Sequence, residues 1–139
     1  MKIEQVIDKD AAKDYIEKMA EELDIDLVDF NVRKKTDDEI KLEADLLEGV
    51  MAGLIYFDEE KKCMVQKLTK NIVSGDYERD HLYYKYKFKV RDARKLKEQG
   101  LEASLEMLTK VCDVPRAIVN EMHGRNLDFA FAGMNFFLK

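Results

Sequence analysis

The sequence predicts an α+β fold: an N-terminal helix and an antiparallel meander of about five strands, followed by a C-terminal cluster of three to four helices. Three observations lead there. Apolar residues recur at helical spacing near the start, alternate with polar ones through the middle, and return to helical spacing from Arg91 onward. Strands first and helices afterwards is the order expected of a sheet with helices packed on one face or at one end.

The first helix is read over Asp10–Leu23, where Ala12, Tyr15, Ile16, Met19 and Leu23 form one apolar stripe between charges. Val28, Phe30 and Val32 then alternate with Asp29, Asn31 and Arg33, a strand pattern, and KKTDDE makes the turn. Ile40, Leu42, Ala44 and Leu46 alternate with Lys41, Glu43 and Asp45 and predict a second strand. Thr36 and Glu39 also match a capping box, and EIKLEADLLE is rich in helix formers. Strict alternation over this stretch favours the strand.

GLIYF and CMVQKL flank DEEKK and read as a hairpin. NIVSGDYERD reads as a polar loop with a Ser-Gly-Asp turn, and LYYKYKFKV as the clearest strand. In the helical part, Leu101, Leu105, Leu108 and Cys112 form a stripe. Asp113 and Pro115 suit the start of a new helix. Ile118, Val119 and Met122 give that helix an apolar face, and Gly124 suits a left-handed stop. Asn126 is expected to cap the last helix, with Asp128 near its N-terminal dipole.

At 139 residues the chain is long enough to bury one core, so residues 1–139 are read as a single domain, strand-rich over about 25–90 and helical over about 91–139. A hydrophobic fraction of 46% and a single proline describe a folded chain with no low-complexity linker. The net charge of −5 opposes general affinity for nucleic acid or anionic membrane. Cys63 and Cys112 belong to no Cys-x-x-Cys pair and read as buried free thiols of a reducing compartment. The start lacks a secretory pattern, and no apolar run approaches the ~20 residues of a membrane helix. The expected location is the cytoplasm, with no membrane partner.

Little catalytic apparatus is visible. His81 and His123 have no Cys or carboxylate at metal-ligand spacing, and no phosphate loop, nucleophile elbow or zinc-protease pattern occurs. The acid clusters Glu21–Asp26 and Asp37–Glu39 fall at helix ends and turns, where solvated charge is usual. The expectation is a protein that is not an enzyme and needs no cofactor or metal. From Lys85 to Lys97 the basic residues Lys85, Lys87, Lys89, Arg91, Arg94, Lys95 and Lys97 stand against the single acid Asp92. This is a possible basic patch for a phosphate backbone. The alternation puts Lys85, Lys87 and Lys89 opposite Tyr84, Tyr86 and Phe88. The aromatic face is therefore read as core and the lysines as cross-strand partners of the acids around Glu43.

The last helix is the most telling element. Leu127, Ala130, Phe131, Met134 and Leu138 lie on one face, while Phe129, Ala132, Gly133, Phe136 and Phe137 occupy the other side. A helix apolar all round must be covered on most sides. A small domain places few terminal helices at its centre, so the second face is expected to meet another chain. The candidate partner-binding residues are Phe129, Phe131, Met134, Phe136, Phe137 and Leu138, and self-association is expected.

From about Gly53 the chain resembles the tail assembly chaperones of long-tailed bacteriophages and prophages. The resemblance lies in GLIYFDEEKKCMVQKLTKNIV, in YKFKVRDARKL and above all in LEMLTKVCDVPRAIVNEMHGRNLDFAFAGMNFFL. The closing pattern is an apolar helix, a short turn with Pro, a helix ending on a leucine-like position, and an Asp-led final helix with an aromatic end. It falls here at Leu105–Val111, Val114–Pro115, Val119–Met122 and Asp128–Leu138. Asp113 stands where that pattern has a glycine, and the first ~45 residues lie outside the resemblance.

The resemblance implies a non-enzymatic protein that binds the coiled tape-measure protein and shields it while tail-tube subunits assemble. It also implies frequent self-association and, in many members, a longer frameshifted form. Two other readings stand beside it. One is a nucleic-acid-associated regulator using the basic patch; the other is a structural virion or adaptor component.

Overall fold

The computed structural model describes residues 5–25, 36–85 and 90–137, with the side chains of 90–99 and of Phe137 outside the description. The elements are α1 (Lys9–Glu22), α2 (Asp37–Met51), β1 (Ile55–Asp58), β2 (Cys63–Ser74), β3 (Tyr77–Tyr84), α3 (Val90–Cys112, broken into two helical pieces at Gly100, whose φ is 63° and ψ −135°), α4 (Arg116–Asn120) and α5 (Gly124–Phe137). The fold is α+β, with an antiparallel sheet in the order β1-β2-β3. The described residues hold three strands rather than about five. The strand expected at Val28–Val32 lies outside them.

The strand expected at Ile40–Leu46 is instead the helix α2. Its capping box forms: Thr36 Oγ1 accepts from the Glu39 N–H at 3.2 Å, and Asp37, Asp38 and Glu39 sit in the positive first turn. The buried positions of α2 are Asp45, Leu46, Gly49 and Val50, a helical spacing, while Ile40 is exposed. Ile40, Leu42 and Leu46 satisfy a two-residue period only because a helix also tolerates apolar residues off its stripe. With no strand there, Lys85 has no acidic strand to face.

The hairpin over GLIYF and CMVQKL forms as β1 and β2, with Asp58 paired to Cys63 across the turn. The expected loop NIVSGDYERD is not a loop. β2 runs on to Ser74 and returns as β3 through Gly75 and Asp76, so this stretch is the far end of a long hairpin. A register irregularity between Lys67 and Ile72 displaces Leu68–Asn71 from the ladder.

Three helices stop in the same way. Asp24 after α1, Gly53 after α2 and Asp113 after α3 all have positive φ, of 57°, 73° and 50°. In each case the next N–H reaches back over the last turn: Ile25 to the Ala20 carbonyl, Leu54 to Gly49 and Val114 to Thr109. Asp113 thus belongs to the stop of α3, not to the start of α4, whose N-cap position is Pro115.

The core lies between the inner face of the sheet (Ile55, Met64, Leu68, Ile72, Leu82 and Tyr84) and the helices. Helix α5 lies between α2 and the sheet, while the end of α3 and α4 close the side next to β3. Close approach is possible on both sides because of glycine. A Cβ at Gly49 of α2 would lie 2.9 Å from Ile55 Cγ1 and 3.4 Å from the Phe129 ring. One at Gly133 of α5 would lie 3.0 Å from the Tyr84 ring. Helix α1 packs on α2, and Tyr15 Oη accepts the Phe57 N–H of β1 at 2.8 Å. In the stripe expected along α3, Leu101 departs: it is exposed, and the buried face is Ala103, Met107, Leu108, Val111 and Cys112.

Candidate functional site

The six residues expected to meet a partner do not form one open surface. Phe129, Met134 and Phe136 are buried in the chain's own core, with Phe129 and Phe136 at 0% and 1% exposure. Phe131 is partly exposed and packs against the edge of that core. The side chain of Phe137 and all of Leu138 lie outside the described residues. The premise that a terminal helix seldom occupies the centre fails here, because α2 and the sheet cover α5 from both sides. Burying each of the two phenylalanines contributes about 1.5–3 kcal/mol to folding.

Polar contacts hold α5 in register. Gln66 is fully buried; its Nε2 donates to the Asn126 carbonyl at 2.9 Å, and its Oε1 accepts from Tyr84 Oη at 2.6 Å. Asn126 does not cap α5, which begins at Gly124. Its Oδ1 accepts from the Thr69 N–H at 3.0 Å, and so satisfies a backbone donor in the displaced part of β2. On the α2 side, Arg125 bridges Asp45, Glu48 and Asp128, and its guanidinium carbon lies 4.7 Å from the Phe129 ring centroid. Lys41 adds a 2.9 Å contact to Asp45.

The two thiols are free and buried. Burial pushes the Cys112 thiol far above its ordinary range and raises that of Cys63 as well. Neither has the depressed pKa of a nucleophile. Tyr84 is likewise held well above the ordinary phenol range by burial. His81 Nδ1 lies 2.9 Å from Asp80 Oδ1, which lowers the Asp80 pKa. Among the described residues no group of three or more His, Cys, Asp and Glu could hold a metal ion. No helix among them is long and apolar enough to cross a membrane.

The outer face of the sheet carries a second row of aromatic side chains. Cross-strand pairing aligns Tyr56 with Val65 and Val65 with Tyr83, and aligns Lys67 with His81. These residues share the face away from the core, so Tyr83 and His81 stand beside lysines while Tyr84 faces inward. Lys61 Nζ lies 4.0 Å from the Tyr83 ring centroid and Lys85 Nζ 5.6 Å, both within cation–π range. The His81 and Tyr83 rings stack with centroids 6.2 Å apart. Val65 and Cys63 are buried beneath this layer. The sequence signal for this row is the two-residue spacing of His81, Tyr83 and Lys85, which the stronger aromatic series Tyr84, Tyr86 and Phe88 masks.

Of the expected basic patch, only Lys85 is described with its side chain, and it is exposed. Lys87 and Lys89 lie outside the described residues, and Arg91, Arg94, Lys95 and Lys97 fall in the part of α3 whose side chains are not described. At the far end of the long hairpin, Val73 and Tyr77 are exposed at 60% and 48%.

Compared with known proteins, the chain matches no family model, no curated protein sequence and no solved structure.

Proposed function

We propose that this chain is a non-enzymatic assembly chaperone of a bacteriophage or prophage tail, holding an apolar protein partner of the tape-measure kind and associating with itself. The observation that carries the reading is the closing sequence pattern. The first two segments fall at the end of α3 and in the turn to α4; the third runs from α4 past its end to Met122, and the last begins one turn inside α5 rather than at its start. The burial that raises both thiol pKa values speaks against thiolate nucleophiles in particular.

In this reading the contact falls to the rim of α5 rather than to its whole circumference. Phe129, Met134 and Phe136 serve the chain's own core, which leaves Phe131 as the described aromatic of α5 able to touch both core and partner.

The test is co-expression with a tape-measure protein encoded beside this chain. The soluble fraction is compared with the chain absent, present, and present as Phe131→Ser. The expected result is soluble tape-measure protein with the unaltered chain and a several-fold loss with Phe131→Ser, whose thermal melt is followed in parallel. Equal insolubility with and without the chain sinks the reading.

A further inference from the structure

The outer sheet face combines ring surfaces with exposed positive charge. Tyr56 and Tyr83 are both partly exposed. Their strands lie two apart, about 10 Å between backbones; a base stacking on Tyr83 would displace the Lys61 ammonium that now lies over that ring. Lys61 comes from the β1–β2 turn, Lys67 from β2 and Lys85 from the end of β3, and all three are exposed. Three different segments thus bring lysines to the rim of one aromatic row. Of the nearby acids, Glu59 and Glu60 of the β1–β2 turn are exposed beside Lys61, whereas Asp58 and Asp80 are engaged. Asp58 Oδ1 accepts the N–H groups of Glu60 and Lys61 within the turn, and Asp80 is paired with His81. By sequence, the twelve positions after Lys85 add six basic residues against one acid.

We propose that this face binds single-stranded nucleic acid, its bases stacking on Tyr56 and Tyr83 and its phosphates meeting Lys61, Lys67 and Lys85. A single strand offers the two things the face can use, base faces and a regular row of negative charge. A duplex hides its base faces, and an acidic peptide would use the lysines but not the rings. The chain's net charge of −5 does not preclude this. At physiological salt, exposed charges beyond about 8 Å are largely screened, so a bound strand meets the charges of this face, the three lysines together with Glu59 and Glu60, rather than the net charge of the chain. The inference does not depend on the chaperone reading, and its test involves no tail protein.

Fluorescence anisotropy of a labelled 20-nucleotide oligo-dT, titrated with the full chain between 50 and 200 mM NaCl, tests it. Saturable binding is expected, with a log–log salt slope near −2, from three phosphates at roughly 0.7 each. Tyr56→Leu and Tyr83→Leu are each expected to weaken binding roughly tenfold, with Tyr83→Phe close to the unaltered chain. The triple variant Lys61→Gln, Lys67→Gln, Lys85→Gln changes only exposed side chains and is expected to remove most of the salt dependence. It decides the matter if the tyrosine variants unfold. No saturable binding at 50 mM, a duplex of equal length bound as tightly, or an unchanged isotherm in the triple variant would each overturn the proposal.

Discussion

Tyr84 Oη lies 2.6 Å from Gln66 Oε1, joining the last strand of the sheet to its middle strand through two fully buried polar groups. Gln66 passes the link to α5 through the Asn126 carbonyl. Among the described residues no buried side-chain nitrogen or oxygen lacks a partner, so the inner polar layer is fully satisfied.

Removing either partner of that link should be costly, because each leaves a buried polar group short of a partner. Tyr84→Phe leaves the Gln66 amide oxygen without its hydroxyl donor and is expected to destabilise the fold by about 1–3 kcal/mol. Gln66→Leu also takes the donor from the buried Asn126 carbonyl, so the double variant is expected to be no more stable than Tyr84→Phe. Urea unfolding of the two single variants and the double variant gives the coupling; strict additivity would show that the pair does not act as a unit.

Helix α5 should be intolerant of one added methyl. Gly133→Ala places a Cβ 2.9 Å from Met64 Cε and 3.0 Å from the Tyr84 ring. Met64 can yield, but the ring is tethered by Gln66, so a loss of about 1–3 kcal/mol is expected. A thermal melt at unchanged midpoint would mean that the helix shifts freely on the sheet.

The stop of α3 has room for improvement. Asp113 sits at φ 50°, a conformation glycine adopts without a Cβ penalty, and the Val114 N–H that follows already makes the terminating hydrogen bond. Asp113→Gly is expected to stabilise by about 0.5–1 kcal/mol, as net relief of left-handed strain. A lower unfolding midpoint in chemical denaturant would contradict this.

The Lys41–Asp45 contact makes a prediction on the alkaline side. The hydrogen bond to Asp45, then its charge, raise the Lys41 pKa above the ordinary lysine value. A raised pKa contributes stability that is fully present below the unfolded value and is lost as pH rises through the folded one. Lys41→Met should therefore flatten the alkaline limb of a stability–pH curve slightly and leave neutral and acidic pH unchanged in shape. Asp45→Ala is expected to be the costlier change, about 1–3 kcal/mol, because it removes a buried carboxylate that both Lys41 and the partly exposed Arg125 use as acceptor.

Much of the fold is legible where one local signal acts alone. The first helix, the β1–β2 hairpin and the helical character after Arg91 all follow from periodicity. Structure and expectation part where two signals overlap. At α2 a two-residue alternation coincides with a capping box, and the cap together with helical propensity prevails. At Asn71–Asp80 the polar composition reflects a hairpin whose far end is largely wet on both faces, not a loop. Asn126 reads as the cap of its own helix because sequence shows local partners, whereas its actual partner, Thr69, is 57 positions away. For α5 the requirement for cover on all sides is readable, but which elements supply that cover is not, since that depends on tertiary arrangement. Tyr83 and Lys85 can be paired from spacing alone; Lys61 cannot, because it arrives from another turn.

The central position of α5 also dictates an order of events during translation. Met64, Gln66 and Tyr84 are made long before Phe129 and Phe136, so the part of the sheet's inner face that α5 covers stays open until residues 124–137 have been made. For that interval the nascent chain is itself an unprotected apolar client. The final helix acts as its intramolecular lid.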